Sequence, residues 1–221
     1  MMAELDFAQA RFNMVEQQVR TWDVFDAQVL DLLASMPREE FVPLKFRNLA
    51  YADIGVRLAH GQVMMHPIIE ARLLQALALK PTDVVLEVGT GSGYLTALLA
   101  KMTAHVYSVE IYPDLLREAA RRLQAHQVSN VTLEEGDGSR GWPDHGPYDA
   151  IAITGSVNSV NDKMKGSMKI GGRLFAIVGE GPAMEAQLIT RVSQDKWDID
   201  CLFETELKVL VNATKPPRFV F

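Results

Sequence analysis

The pattern of hydrophobic and polar positions changes near residue 80, which divides the chain into two parts. Before that point two amphipathic helices are predicted, the second over residues 24–36 with Pro37 ending it. After it, short apolar runs alternate with amphipathic segments such as 113–126. This alternation predicts a parallel, doubly wound α/β sheet. The apolar stripe of the first predicted helix consists of Leu5, Ala8, Phe12, Val15 and Val19.

The last third of the chain predicts a different edge to this sheet. Gly171-Gly172 is expected to turn into a buried strand over 173–179. Two longer segments, 186–194 and 197–210, bend at Asp195-Lys196 and predict an antiparallel hairpin at the sheet edge. We therefore expect an N-terminal helical segment over 1–80 and an α/β core over 81–221, together forming one compact unit.

A glycine-rich turn follows the first predicted strand of the core. Residues 84–93 have the sequence VVLEVGTGSG, and an apolar helix is predicted over 94–100. Glycines let the backbone turn sharply and let a ligand approach closely, while the free N–H groups of the helix face the loop. A dinucleotide site would have the spacing G-x-G-x-x-G. Here Glu87 begins the pattern Glu-x-Gly-x-Gly-x-Gly, which resembles motif I of the S-adenosylmethionine-dependent methyltransferases.

Three acidic residues are the candidate polar contacts of this cofactor. The carboxylate of Glu87 suits the ammonium and sulfonium charges of S-adenosylmethionine. Glu110 closes the next predicted strand, about 20 residues on, where nucleotide-binding folds hold ribose hydroxyls. Asp137 either accepts from the adenine amino group or only supports its own turn. For Asp149, which opens the fourth strand, strand entry and site support are weighted equally. The expected cofactor contacts are Glu87, Gly89, Thr90, Gly91, Ser92, Gly93, Glu110, Ile111, Asp137 and Gly138.

Composition and charge narrow the class of function. The 221 residues include 22 basic and 28 acidic side chains, and the net charge of −6 does not indicate a nucleic-acid surface. The longest apolar segment, 68–79, contains Glu70 and Arg72 and is shorter than the ~20 residues of a membrane span. Cys201 is the one cysteine, so we expect no internal disulfide and a cytoplasmic location. No Cys/His cluster has metal-ligand spacing.

Beyond motif I, the chain resembles the protein-L-isoaspartate O-methyltransferases as far as about Gly179. The resemblance implies a seven-stranded, Rossmann-like fold and a cytoplasmic monomer or weak homodimer. It also implies methyl transfer from S-adenosylmethionine to the α-carboxylate of isoaspartyl residues in damaged proteins, which permits their return to aspartate through a succinimide. The C-terminal forty residues match poorly, although Arg218-Phe219-Val220 resembles the family's ending. The segments that carry the resemblance are PREEFVP at 37–43, YAD at 51–53, GQ at 61–62 with Pro67, GDG at 136–138, GWP at 141–143, YDAI at 148–151 and GGRL at 171–174.

One segment departs from the family pattern. Where family members have Gly-Gln-Thr-Ile-Ser-x-Pro, residues 61–67 are Gly-Gln-Val-Met-Met-His-Pro, and Met65 replaces the active-site serine. A thioether cannot donate a hydrogen bond. A carboxylate acceptor is already an anion, however, so transfer needs positioning and desolvation but no base. We expect this segment to form the transfer site, with Gln62, Tyr51, Ser156 or backbone N–H groups of 64–66 replacing the hydroxyl. The candidate catalytic residues are Gln62, Met64, Met65 and His66.

Two other functions remain open from the sequence. A hydroxyl, phenol or amine of a small molecule would need a base, and His66 could serve beside an apolar pocket of Met64 and Met65. The favoured alternative is that His66 is a loop residue that fits before Pro67. A third hypothesis is a protein that binds S-adenosylmethionine without catalysis.

Overall fold

The computed structural model describes residues 6–214, which fold around one seven-stranded sheet of order β3-β2-β1-β4-β5-β6-β7. Strands β1 to β5 pair in parallel, and β6 and β7 add an antiparallel edge. The predicted doubly wound, mostly parallel fold is therefore confirmed. Leu5 and the segment 218–220 lie outside the described residues. The strands are β1 Val84–Val88, β2 His105–Glu110, β3 Val131–Glu135, β4 Tyr148–Val157, β5 Met168–Glu180, β6 Ala183–Ser193 and β7 Lys196–Thr205.

The first helix differs from its predicted apolar stripe. It continues without a break into a π-helical segment, Met14–Val19, in which Val15 and Val19 are buried as expected. Phe12, however, is 59% exposed, and Ala8 is also exposed. Because π-helical hydrogen bonds join i to i+5, the buried face does not keep the α-helical period on which the stripe was based. The helices are α1 Phe7–Asn13, α2 Ala27–Ser35, α3 Pro67–Leu77, α4 Tyr94–Met102, α5 Pro113–Ala125 and α6 Asp162–Gly166.

Helix α2 begins three residues later than predicted. The carboxylate of Asp26 accepts hydrogen bonds from the backbone N–H groups of Gln28 and Val29 and so caps the helix N-terminus. The helix ends before Met36, whose extended backbone is the conformation favoured in front of a proline.

In the C-terminal half of the sheet, two strand boundaries differ from the predicted ones. Strand β5 begins at Met168, so Gly171-Gly172 lies inside the strand and not in a turn before it. Gly171 has φ +81°, and the pairing of β4 with β5 shifts between Met168 and Arg173, which identifies a bulge. Strand β7 ends at Thr205, five residues before the predicted end. The chain then leaves the sheet edge and pairs Val209 with Ser156 of β4 in parallel.

Buried side chains from both sides of residue 80 share one hydrophobic core. Leu33 of α2 and Leu73 of α3 belong to the same cluster as Leu98 of α4 and Phe175 of β5, and all four are fully buried. The N-terminal helices therefore cover one face of the sheet. Within residues 6–214, none of the helices has the length and apolar character that a membrane crossing requires.

Candidate active site

The largest concentration of predicted site residues lies where the carboxyl ends of β1, β2 and β4 meet. The order of the strands reverses between β1 and β4, and open α/β sheets bind ligands at such a point. We call this the cofactor pocket. Its wall includes Leu58, Gln62, Val63, Gly89, Gly91, Glu110, Ile111, Tyr112, Asp137, Gly138, Thr154 and residues 207–211.

The glycine-rich loop between β1 and α4 forms the floor of this pocket. Gly89, Gly91 and Gly93 all have positive φ, at +98°, +54° and +84°. At Gly89 a Cβ atom would also overlap the hydroxyl of Thr154. The three glycines are therefore required by backbone conformation, and at Gly89 by space as well.

Glu110 fixes the glycine loop to the end of β2. One of its carboxylate oxygens accepts from the backbone N–H of Gly91 at 2.8 Å, and the other accepts from the N–H of Tyr112 at 3.1 Å. Each oxygen retains a second lone pair, and the residue lines the cofactor pocket. Glu110 can therefore hold the loop and still accept from ribose hydroxyls.

Glu87 is a buried carboxylate with one unsatisfied oxygen. Its Oε2 accepts from the hydroxyls of Thr96 and Ser108, each at 2.5 Å. Its Oε1 is buried without a hydrogen-bond partner among the described residues. Burial raises the pKa of this carboxyl to about 8, and the two hydroxyl donors oppose the shift. An orphaned buried oxygen is costly, and a cation at that point would satisfy it.

Glu87 lines a smaller cavity that adjoins the cofactor pocket. Thr90 and Ser92, both buried, contribute to the same cavity, so these predicted contacts lie beside Glu87. Gly93 does not line either space. It precedes α4, and a Cβ there would lie 3.1 Å from the Cβ of Ala119 in α5, so its role is helix packing. The wall of the smaller cavity is completed by Leu58, Val63, Met64, Met65, Glu70, Gly89, Gly91, Leu95 and Thr154.

Asp137 both supports its turn and faces the cofactor pocket. Its Oδ1 accepts from the N–H of Ser139 and its Oδ2 accepts from the side-chain amide of Asn212, each at 2.9 Å. Burial alone would raise the pKa of Asp137, but these hydrogen bonds outweigh it and the pKa is lowered. Neighbouring Gly138 is required by space, because a Cβ would come within 2.9 Å of Val88 Cγ1.

The residues of segment 61–67 do not all face the same space. Gln62 lies on the cofactor pocket, and Met64 and Met65 are buried on the wall of the smaller cavity. The side chain of His66 is 37% exposed, with Nδ1 3.6 Å from Asp53 Oδ1. It does not line either space, so the structure does not bring the candidate base to the cofactor pocket.

Met65 is held in place by a buried ion pair. Arg38, fully buried, donates to the carbonyl oxygen of Met65 at 2.7 Å and forms a salt bridge with Glu70. Burial raises the pKa of Glu70 to about 7, while the charge of Arg38 opposes that shift. The 37–43 segment thus positions the 61–67 segment.

Both hydroxyls expected to replace that of the family serine, and the backbone N–H of Met64, are already engaged in hydrogen bonds. The hydroxyl of Tyr51 donates to Glu39 and accepts from Arg11 Nε at 2.8 Å. Ser156 donates to the carbonyl oxygen of Leu207, and the N–H of Met64 donates to that of Val56. Neither Tyr51 nor Ser156 lines the cofactor pocket or the smaller cavity.

Asp149 lies at the opposite end of β4 from the pocket. Its carboxylate accepts from the N–H of Val84 at 2.9 Å and pairs with Lys169 at 2.8 Å. Of the two roles weighted equally from the sequence, the structure supports strand entry.

Several wall residues were missed by the sequence analysis. Thr154 ends the predicted fourth strand, and its hydroxyl lies within hydrogen-bonding distance of the carbonyl oxygens of Val88 and Gly89. Its place at a strand's carboxyl end was a usable signal. The segment 207–211 gave no such signal. Lys208 of that segment donates to the carbonyl oxygen of Gly61 and joins the C-terminal part of the chain to the 61–67 segment.

A larger, open cavity of about 710 Å³ lies beside the cofactor pocket. It shares Val63 and residues 207–209 with that pocket and Met64 with the smaller cavity. His66 lines the open cavity. A second ligand in the open cavity would therefore meet one in the cofactor pocket at Val63, Met64 and residues 207–209. Its other wall residues are Gly55, Gly181, Met184, Thr205 and Glu206.

Comparison with known proteins identifies related sequences over nearly the whole chain. Residues 10–214 match the family model of protein-L-isoaspartate(D-aspartate) O-methyltransferase. A protein-L-isoaspartate O-methyltransferase of Gloeobacter violaceus is 40% identical over 207 residues, which cover 94% of this chain and 95% of the relative. One of Protochlamydia amoebophila is 38% identical over 185 residues, covering 84% and 87%.

Solved structures give the same fold. A structure described as a protein-L-isoaspartate O-methyltransferase aligns with a TM-score of 0.76 at 24% identity and covers 90% of this chain and 65% of that one. A putative Plasmodium falciparum protein of this type, solved in complex with S-adenosyl-L-homocysteine, aligns with a TM-score of 0.76 at 20% identity, covering 94% and 99%.

Proposed function

The chain belongs to the protein-L-isoaspartate(D-aspartate) O-methyltransferase family, and we propose that it methylates the α-carboxylate of isoaspartyl residues in damaged proteins. The cofactor is S-adenosylmethionine, which supplies an activated methyl group on a positively charged sulfonium. The resulting methyl ester permits return to aspartate through a succinimide, so the function is protein repair.

The observation that carries the cofactor assignment is the orphaned Oε1 of Glu87. A buried carboxylate with one unpartnered oxygen suits the ammonium and sulfonium charges of this cofactor and would repel a pyrophosphate. We assign the ribose hydroxyls to Glu110 and the adenine amino group to Asp137, with Ile111 against the adenine ring. Thr90, Ser92 and the glycine loop would enclose the methionine portion.

A carboxylate acceptor fits the groups around the transfer site. Met64 and Met65 are apolar and buried, so they exclude water but cannot remove a proton. His66 lies on the open cavity, away from the cofactor pocket. A site that positions and desolvates, without a base, matches an acceptor that is already ionised at neutral pH. Gln62 lines the cofactor pocket next to Val63, which the open cavity shares, and we assign it to the side of the cofactor that faces the acceptor.

The open cavity is the proposed site of the acceptor peptide. Its size and its shared wall with the cofactor pocket support this assignment. We further propose that residues 1–80 and 81–221 act as one unit, a cytoplasmic monomer or weak homodimer. The shared core supports the first part, and the single, exposed Cys201 is compatible with a reducing compartment.

Methyl incorporation from labelled S-adenosylmethionine tests this function. The acceptors are an isoaspartyl peptide, its normal aspartyl isomer and a panel of small phenols, and Gly91→Val is the control for enzyme-dependent label. We expect label in the isoaspartyl peptide alone. Label in the phenols with none in the isoaspartyl peptide would favour the small-molecule function, and cofactor binding without transfer to any acceptor would favour a non-catalytic protein.

A further inference from the structure

The charges around the site are unevenly distributed. Glu70 and Glu87 line the smaller cavity, and Glu110 and Asp137 line the cofactor pocket. Glu70 is paired with Arg38, but an anionic acceptor would still be repelled by those of the other three acidic residues that are ionised. The positive charge of the cofactor offsets this repulsion only in part. A further cationic group is therefore needed to attract a carboxylate.

Lys208 is the one lysine or arginine side chain on the walls of these three spaces. It lies on both the cofactor pocket and the open cavity, at the junction where a methyl group would pass from one ligand to the other. The other charged or titratable side chains of the open cavity are Glu206 and His66. Among residues 6–214, the ammonium of Lys208 has no carboxylate oxygen within 4.0 Å.

The position of Lys208 is fixed by its backbone and by one hydrogen bond. Its carbonyl oxygen accepts from the N–H of Ser156 at 2.9 Å, which anchors the residue to β4. Its ammonium donates to the carbonyl oxygen of Gly61, at the start of the segment that carries Met65. An ammonium has three donor hydrogens, so two remain for a ligand.

Resting on the proposed function, we propose that Lys208 binds the α-carboxylate of the isoaspartyl acceptor. It takes over the task that a hydroxyl at position 65 would perform. A charged donor holds a carboxylate more strongly than a neutral hydroxyl does. Lys208 is therefore the residue that selects an anionic acceptor over a neutral one.

The test is peptide binding without turnover. The protein is saturated with S-adenosylhomocysteine, and two peptides are titrated by calorimetry: an isoaspartyl peptide, and the same peptide with its α-carboxylate converted to a primary amide. The unmutated protein should bind the carboxylate form about ten- to a hundredfold more tightly, as expected for a hydrogen bond to a charged group. Lys208→Met should lose most of that preference by weakening the carboxylate peptide alone.

Two further variants separate charge from fold. Lys208→Arg keeps a cation and should restore part of the preference. Lys196→Met removes an exposed lysine at the start of β7, at the far edge of the sheet, and should leave the preference unchanged. If Lys208→Met still prefers the carboxylate peptide as strongly as the unmutated protein, the assignment of Lys208 is overturned while the proposed function stands. If the unmutated protein binds neither peptide, the proposed function fails and this inference fails with it.

Discussion

Replacing Glu87 with glutamine should raise the stability of the free protein near neutral pH and weaken its cofactor binding. Both effects follow from one observation, a fully buried carboxylate with one unpaired oxygen. In the free protein no cation offsets the burial of a charge at this position, so the carboxyl stays largely protonated near neutral pH. In the complex that charge would face the ammonium and sulfonium groups.

The size and sign of the stability effect follow from the pKa of Glu87. Folding raises this pKa from 4.5 to about 8. A group with a raised pKa contributes stability that is fully present below pH 4.5 and is lost as the pH rises toward 8. Between pH 5 and pH 7.5 the unmutated protein should lose on the order of 3 kcal/mol relative to Glu87→Gln, at 1.36 kcal/mol per pH unit. Glu70 is present in both proteins, so its contribution largely cancels.

Binding should change in the opposite direction. S-Adenosylhomocysteine retains the ammonium group, and its binding should release about 0.9 of a proton from Glu87 at pH 7. The affinity of the unmutated protein should therefore rise with pH toward 8. Glu87→Gln should bind about ten- to a hundredfold more weakly, with an affinity that depends much less on pH.

Urea unfolding at pH 5 and pH 7.5 measures the first effect, and calorimetry in buffers of different ionisation enthalpy measures affinity and proton release together. A stability difference that stays constant across this range would show that Glu87 is not a buried titrating group. Unchanged affinity in Glu87→Gln would remove it from the cofactor site.

Three further predictions concern the loop and the transfer site. Gly91→Val should abolish S-adenosylhomocysteine binding in calorimetry, because a β-branched residue is strained at φ +54°. The variant should still unfold cooperatively on heating. Binding with the affinity of the unmutated protein would contradict this prediction. Met65→Ser and Met65→Ala should each lose roughly 2–5 kcal/mol of unfolding free energy, since Met65 is buried. Only the serine variant should gain turnover on an isoaspartyl peptide. Equal turnover in the two variants would argue against position 65 as the place of the missing hydroxyl. The single-turnover rate of methyl transfer should vary little between pH 6 and pH 9, because the acceptor carboxylate is ionised throughout. The rate in His66→Ala should be equally insensitive to pH. A loss of rate toward low pH that disappears in His66→Ala would establish the histidine as a base.

The local motifs of the core were predictable from the sequence. The glycine loop, Glu110 at the end of β2 and the turn at Asp137 each depend on a short segment whose residues suffice to define it. The antiparallel edge was also predictable, because its hairpin is formed by neighbouring segments.

What escaped prediction depends on distant parts of the chain or on unusual local geometry. The segment 207–211 reaches the cofactor pocket because its backbone pairs with Ser156, about fifty residues earlier, and no local pattern encodes that pairing. Phe12 is exposed because a π-helical segment follows α1. Tyr51 is a site candidate by motif, yet its hydroxyl is used by Arg11 and Glu39. Sequence spacing carries no information on such competition for hydrogen bonds.

The most direct test of the account follows a single isoaspartyl peptide through repeated methylation. The peptide is incubated with the protein and S-adenosylmethionine, and its isomers are separated and identified by mass spectrometry over time. We expect a methyl ester on the isoaspartyl α-carboxylate, then a succinimide, then accumulation of the normal aspartyl isomer. None of these products should form when Gly91→Val replaces the unmutated protein. An isoaspartyl peptide that stays unmodified while the protein binds S-adenosylmethionine would contradict it.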